Sequence, residues 1–157
     1  VYNIIIVKGG NNMKNLDYIS LKVVKEKVVN IESLTVNSPK KVVSFLQNEI
    51  GDRDREYLVA LFLSTKNTIQ AIQNISIGSL SASISHPREV FKYAVLKNSA
   101  FIILAHNHPS GNPNPSNDDI AVTERMVEAG QILGIKVIDH IIVSEDNYYS
   151  FKEDGLI

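Results

Sequence analysis

The sequence predicts an α/β or α+β domain with a mixed central β-sheet flanked by helices. Three observations carry that expectation. Apolar residues recur at helical spacing after Ser38-Pro39, after Ser85-His86-Pro87 and after Ser116. Two continuous apolar runs, Leu58 to Leu63 and Ala100 to Ala105, have strand length and suit strands covered on both faces. Helical and strand-like segments alternate irregularly, as in a mixed sheet.

The elements follow in order. Residues 1–37 form a short extension, and 38–157 the main domain. Within the extension, Ile19 to Val29 alternates Val and Leu with Lys and suggests one or two amphipathic strands. Ser38 suits an N-cap and Pro39 the first helical position. Val42, Val43, Phe45, Leu46 and Ile50 then share a helix face, and Gly51 ends it. Asp52 to Arg55 is a charged turn. Glu56 to Thr65 and Thr68 to Ile77 read as strands joined at Lys66-Asn67. Gly78 to Ile84 is small and polar and suits a short extended segment. Ser85 to Glu89 opens a second helix, with Val90, Phe91, Ala94, Val95 and Leu96 on its buried side.

The run Ala100 to Ala105 is the central strand. His106 to Pro115 holds three prolines and a glycine, so it is an ordered loop. Ser116 caps a helix that reaches Leu133, with Val122, Met126, Ala129 and Leu133 on one face and Gly134 as its terminator. Lys136 to Val143 is a buried strand, Asp146-Asn147 a turn, and Tyr148 to Phe151 a short edge strand.

Composition narrows the chemistry. The chain has 157 residues, 16 Lys and Arg, 17 Asp and Glu, four His and no Cys. Without cysteine there is no disulfide framework, thiolate zinc site, iron–sulfur cluster or thiol nucleophile. Any metal must be held by histidine and carboxylate. The net charge of −1 offers no basic footprint for nucleic acid. The longest apolar runs fall well short of the ~20 residues of a membrane helix. Val1 to Val7 is apolar but lacks a basic leader and a cleavage site, so a cytoplasmic protein is expected. Position 1 is not Met, and Met13 lies inside an Asn/Lys-rich stretch.

The concentrated signal is H-x-H-x7-S-x2-D: His106, His108, Ser116 and Asp119. Side chains two apart on extended chain point to one face. Two imidazoles at a strand end can therefore share one ion. Asp119, in the first turn of the following helix, can point back toward them. Three ligands with one position left for water are the arrangement of a catalytic zinc, since structural sites are closed by four. Such an ion lowers its water's pKa to about 7, and the reaction then needs a general base. Glu56 and Glu89 are both candidates, and spacing does not choose between them.

Competing readings of these residues are structural. Ser116-x-x-Asp119 has the form of a capping box, which is compatible with metal binding if Ser116 caps through its main chain while its hydroxyl faces the site. His86 fits a helix start, and His140 a hydrogen-bonded histidine beside the site rather than a ligand. Asn107 and Ser110-Gly111 suit loop-shaping roles. No H-E-x-x-H is present, which removes the helical zincin layout. The letters His-Asn-His also name a nuclease class, but that class draws its residues from separated elements.

The pattern is that of the JAMM/MPN+ metalloprotease fold. His86-Pro87-Arg88-Glu89-Val90-Phe91-Lys92, Ile103 to Gly111 and Asp139-His140-Ile141-Ile142-Val143 resemble the RadC family in particular, over about 38–157. The resemblance implies a three-layer, cytidine-deaminase-like architecture. It implies Zn2+ held by His106, His108 and Asp119, with Glu56 as general acid/base. It implies Ser116 as a hydrogen-bond donor to the oxyanion or to the metal-bound water. Full-length relatives of that kind have a helical segment before this domain. Residues 1–37 are too short and strand-like for it, so no nucleic-acid role is carried over from it.

The expected activity is hydrolysis of a peptide or isopeptide bond, with a protein or peptide as partner. The alternative is a DNA-repair accessory protein, as the family's name suggests. A non-catalytic module is the third reading, and the intact ligand set speaks against it. Homodimerisation is an open option.

Overall fold

The structure is a computed structural model, and it describes residues 16–31, 35–36, 39–78 and 86–157. The expectations for Ser38 as a cap, for Ser85 and for 79–84 lie outside the described residues.

The elements run α1 (Pro39–Leu46), a π-helical turn (Gln47–Gly51), β1 (Tyr57–Leu63), β2 (Ile69–Ile77), α2 (Pro87–Leu96), β3 (Phe101–Asn107), α3 (Asn117–Leu133), β4 (Lys136–Val143) and β5 (Tyr148–Ser150). The five strands form one sheet in the order β2-β1-β3-β4-β5. β3 and β4 are parallel, and the other three pairs are antiparallel. This is the mixed α+β sheet that the sequence predicts.

The strands alternate between two cores. Val59, Leu61, Leu63, Ile103, Ala105, Ile141 and Val143 pack with Val42, Val43, Phe45 and Leu46 of α1. Ala60, Phe62, Ile102 and Leu104 pack with Val90, Phe91 and Ala94 of α2 and Val122 and Met126 of α3. Helices thus cover both faces, and β1 and β3 are buried along almost their whole length, which accounts for their unbroken apolar runs. The hairpin between β1 and β2 turns at Asn67, whose φ of 55° suits Asn in the left-handed region.

Several elements differ from expectation. Residues 16–31, which include the Ile19 to Val29 stretch where alternation suggests strands, have no regular secondary structure. Leu16, Tyr18, Ile19, Leu21, Val24 and Val28 are exposed, and among the described residues of the extension Val29, Ile31 and Val36 pack on the core. Alternation alone does not make a strand; the backbone needs a ladder partner. The nearest to one here is an isolated bridge between Thr35 and Thr68. The first helix does not remain α-helical to Ile50 but widens into the π-turn at Gln47. Val95 is 56% exposed, at the margin of the α2 stripe formed by Val90, Phe91 and Ala94, and Leu133 is 51% exposed, at the last residue of α3 beyond its last buried residue Gly130. His86 does stand at a helix start, as expected: it is the N-cap of α2, where its Nδ1 accepts from the Arg88 N–H at 3.2 Å. Among the described residues no helix is long and apolar enough to cross a membrane.

Candidate metal centre

β3 carries the apolar run two residues further than predicted, so His106 lies inside the strand and His108 just past its end. His106 continues the parity of Ile102 and Leu104, the face covered by α2 and α3. The His108 N–H donates to the Val143 carbonyl of β4 at 2.9 Å, which holds the chain beyond the strand's end. Its ring Nδ1 lies 2.8 Å from the Asn112 carbonyl. A carbonyl only accepts, so Nδ1 carries the proton and Nε2 presents a lone pair.

Asp119 comes from the first turn of α3. Ser116 is the N-cap, and the capping box is fully formed. The Ser116 N–H donates to Asp119 Oδ2 at 2.7 Å, and the Asp119 N–H donates back to Ser116 Oγ at 3.2 Å. The hydroxyl itself donates to Asp119 Oδ2 at 2.6 Å. Main chain and hydroxyl of Ser116 are therefore both used by the cap, a different division of labour from the one anticipated. The carboxylate is nearly fully buried and aimed at the strand end.

The three side chains converge. His106 Nε2 and His108 Nε2 are 3.0 Å apart. Asp119 Oδ1 lies 3.2 Å from His106 Nε2, and Oδ2 lies 3.6 Å from His108 Nε2. One ligand atom from each falls within 4.8 Å of the others. Burial pushes the His106 pKa down despite the neighbouring Asp119 carboxylate, whereas that carboxylate raises His108, which is less buried. Burial alone would raise Asp119. The facing His106 and His108 rings and the hydrogen bond from Ser116 overcome it and hold the carboxyl well below the usual carboxylate range. A permanent anion facing two ring nitrogens is the donor set a borderline-soft dication takes. The residues present therefore fit a metal ion.

Behind His106 lies His140, fully buried and stacked on Phe151 with ring centroids 5.0 Å apart. Its Nε2 is 2.9 Å from His106 Nδ1, and its Nδ1 is 2.6 Å from Thr123 Oγ1. His140 thus stands beside the site, hydrogen-bonded and not among the converging ligand atoms, as its sequence context suggests. Thr123, four residues after Asp119, was not anticipated. Its only advance signal is that helical spacing, which places it on the Asp119 face.

Glu56 immediately precedes β1. Leu58 pairs with His106 in the antiparallel ladder, so two further residues in each strand bring Glu56 level with His108 on the same face. The Glu56 charge favours protonation of both histidines, adding to the rise at His108 and opposing the fall at His106. Asn107 fixes this approach from the opposite face. Its Oδ1 accepts from the Tyr57 N–H at 2.7 Å, and its Nδ2 donates to the Arg55 and Arg53 carbonyls at 3.0 and 3.4 Å. Glu89, the other candidate base, is engaged by Lys92 and by Arg88 on the exposed side of α2.

Residues 36–156 match the family described as RadC-like JAB domain. The chain belongs to that family. Its relatives include a UPF0758 protein of Alkaliphilus metalliredigens, 52% identical over 122 residues, covering 78% of this chain and 53% of the relative. One from Methanococcoides burtonii is 53% identical over 122 residues with the same shares. One from Alkaliphilus oremlandii is 50% identical over 127 residues, covering 81% of this chain and 55% of the relative. The chain spans about half the length of the curated relatives it matches. Within the RadC-like JAB domain, the candidate metal centre sits where β3 ends and α3 begins, between two elements that the sheet and the α3 cap hold independently.

Proposed function

We propose that this RadC-like JAB domain is a zinc-dependent hydrolase acting on a peptide or isopeptide carbonyl. The observation that carries the reading is the convergence of two Nε2 atoms and one carboxylate within 4.8 Å. Three protein ligands leave a fourth position, which is characteristic of catalytic rather than structural zinc. When bound, zinc supplies Lewis acidity, activating a water near neutral pH and polarising a carbonyl.

The chain's own residues supply the rest. His106, His108 and Asp119 hold the metal. Glu56, level with His108, takes the proton of the attacking water on its carboxylate and delivers it to the leaving amine. Ser116 keeps Asp119 aimed at the two rings through Oδ2. It can donate to a substrate oxyanion only by giving up that bond. A protein or peptide substrate suits the near-neutral charge of the chain better than duplex nucleic acid does.

The test separates base from bystander on a panel of fluorogenic peptides and isopeptides. Glu56→Gln is expected to bind zinc as the wild type does and to lose about 10²–10⁴-fold in rate. Glu89→Gln, whose side chain is held in surface ion pairs, should retain wild-type rates. A Glu56→Gln variant as active as the wild type on any cleaved substrate would refute the assignment.

A further inference from the structure

The geometry assigns His140 and Thr123 a positioning role: a one-directional proton relay that fixes the tautomer of His106 and leaves its Nε2 free for a metal. The inference rests on the metal reading above, but its physical content is independent of it.

Thr123 sets the direction. Its Oγ1 lies 2.6 Å from the Asp119 main-chain carbonyl and 2.6 Å from His140 Nδ1. A hydroxyl has one proton. The carbonyl can only accept, so that proton belongs to it. Thr123 therefore accepts from His140, which must carry its proton on Nδ1. Among the described residues no carboxylate hydrogen-bonds this fully buried ring, so it is neutral and its Nε2 presents a lone pair. At 2.9 Å the partner of that lone pair is His106 Nδ1, which must donate. His106 Nε2, which points at His108 Nε2 and Asp119 Oδ1, is then the nitrogen left to turn a lone pair to a metal ion.

Two consequences follow. In the neutral His108 ring Nε2 is also a lone pair, because its Nδ1 donates to Asn112. Two lone pairs 3.0 Å apart repel unless a cation, a proton or a metal ion, lies with them. The relay also closes on itself. It runs from His106 on β3 through His140 on β4 to Thr123 and the Asp119 carbonyl on α3, so one buried chain ties two of the ligands together.

The experiment uses the whole chain, in metal-free and zinc-titrated form. With four histidines, long-range ¹⁵N–¹H correlation spectra resolve each ring tautomer. In the metal-free wild type, His140 should be protonated at Nδ1 only, and His106 should be protonated at Nδ1. Thr123→Val keeps the shape and removes the director, and should release His140 to a mixture of tautomers. Its zinc affinity, by competition with a chromophoric chelator, should fall about 10–100-fold. Thr123→Ser should restore both the spectrum and the affinity. His140→Phe should also weaken zinc; if it fails to fold, Thr123→Val and Thr123→Ser carry the test. A His140 protonated at Nε2 in the wild type, or Thr123→Val binding zinc as tightly as the wild type, overturns the relay. A wild type that shows the expected tautomers but binds no zinc refutes the metal reading and leaves the relay intact.

Discussion

Asn107 lies between the two candidate ligand histidines, His106 and His108, in sequence and points to the other face of β3. It is fully buried, and its amide serves three backbone groups of the segment that delivers Glu56. Removing it leaves the Tyr57 N–H and two carbonyls without their partner, a loss of about 1–3 kcal/mol for an unsatisfied buried group. Asn107→Ala should therefore lower the urea midpoint and speed hydrogen exchange at the Tyr57 amide. Zinc binding should persist, because no ligand is touched. Unchanged exchange at Tyr57 would contradict this. The two histidines were legible as a pair because strand geometry has a period of two. The role of Asn107 was not, because its partners are 50 or more residues away in sequence.

At the scale of elements, the site depends on two local irregularities. β4 shifts register against β3 between Ile102 and Ile103, so Val137 pairs with Ile102 and Asp139 with Ile103. Ile138 is the extra residue. Such a bulge moves the following side chains to the opposite face, which aligns His140 with Leu104 on the α3 side. The apolar run Lys136 to Val143 announced a buried strand, but nothing in it announced the bulge. The second irregularity is the return from α3 to β4. Gly134 caps the helix at φ 70°, and the Ile135 N–H donates back to the Gly130 carbonyl at 2.9 Å. Gly134 was legible as a helix terminator. Gly130 inside the helix was not, since its reason is tertiary: a Cβ there would collide with the Ile135 carbonyl oxygen and press on the Phe91 ring. Gly130→Ala should destabilise by about 1–3 kcal/mol despite its better helix propensity. An unchanged or higher denaturation midpoint would contradict the close approach.

Among the described residues, His106, His140 and Asp119 form one buried titratable cluster, apart from Asp139 against Ser150, and stability should depend on pH accordingly. Burial holds His140 well below the usual histidine value of 6.5 and lowers His106 as well. A histidine whose folded pKa is depressed gives its full contribution above 6.5 and withdraws it as pH falls below. His108 is raised by Asp119, so its contribution is full below 6.5 and lost as pH rises through its folded value. The metal-free protein should therefore be most stable near neutral pH, with Tm falling on both sides. A Tm that rises steadily toward acid would contradict the burial of His106 and His140. Periodicity fixed the layers of the fold correctly because buried strands and amphipathic helices write their pattern locally. The extension misled, since alternation from Ile19 to Val29 records strand propensity and cannot say whether a neighbouring strand is there to receive it.

The central claim is that His106, His108 and Asp119 hold one catalytic metal ion. Metal content per chain, measured on protein purified without chelators, tests it most directly, alongside His108→Ala. The wild type should carry about one zinc, and His108→Ala almost none, with an unchanged far-ultraviolet circular dichroism spectrum because the zinc is catalytic and not structural. A wild type free of metal that also fails to take up added zinc would contradict the account.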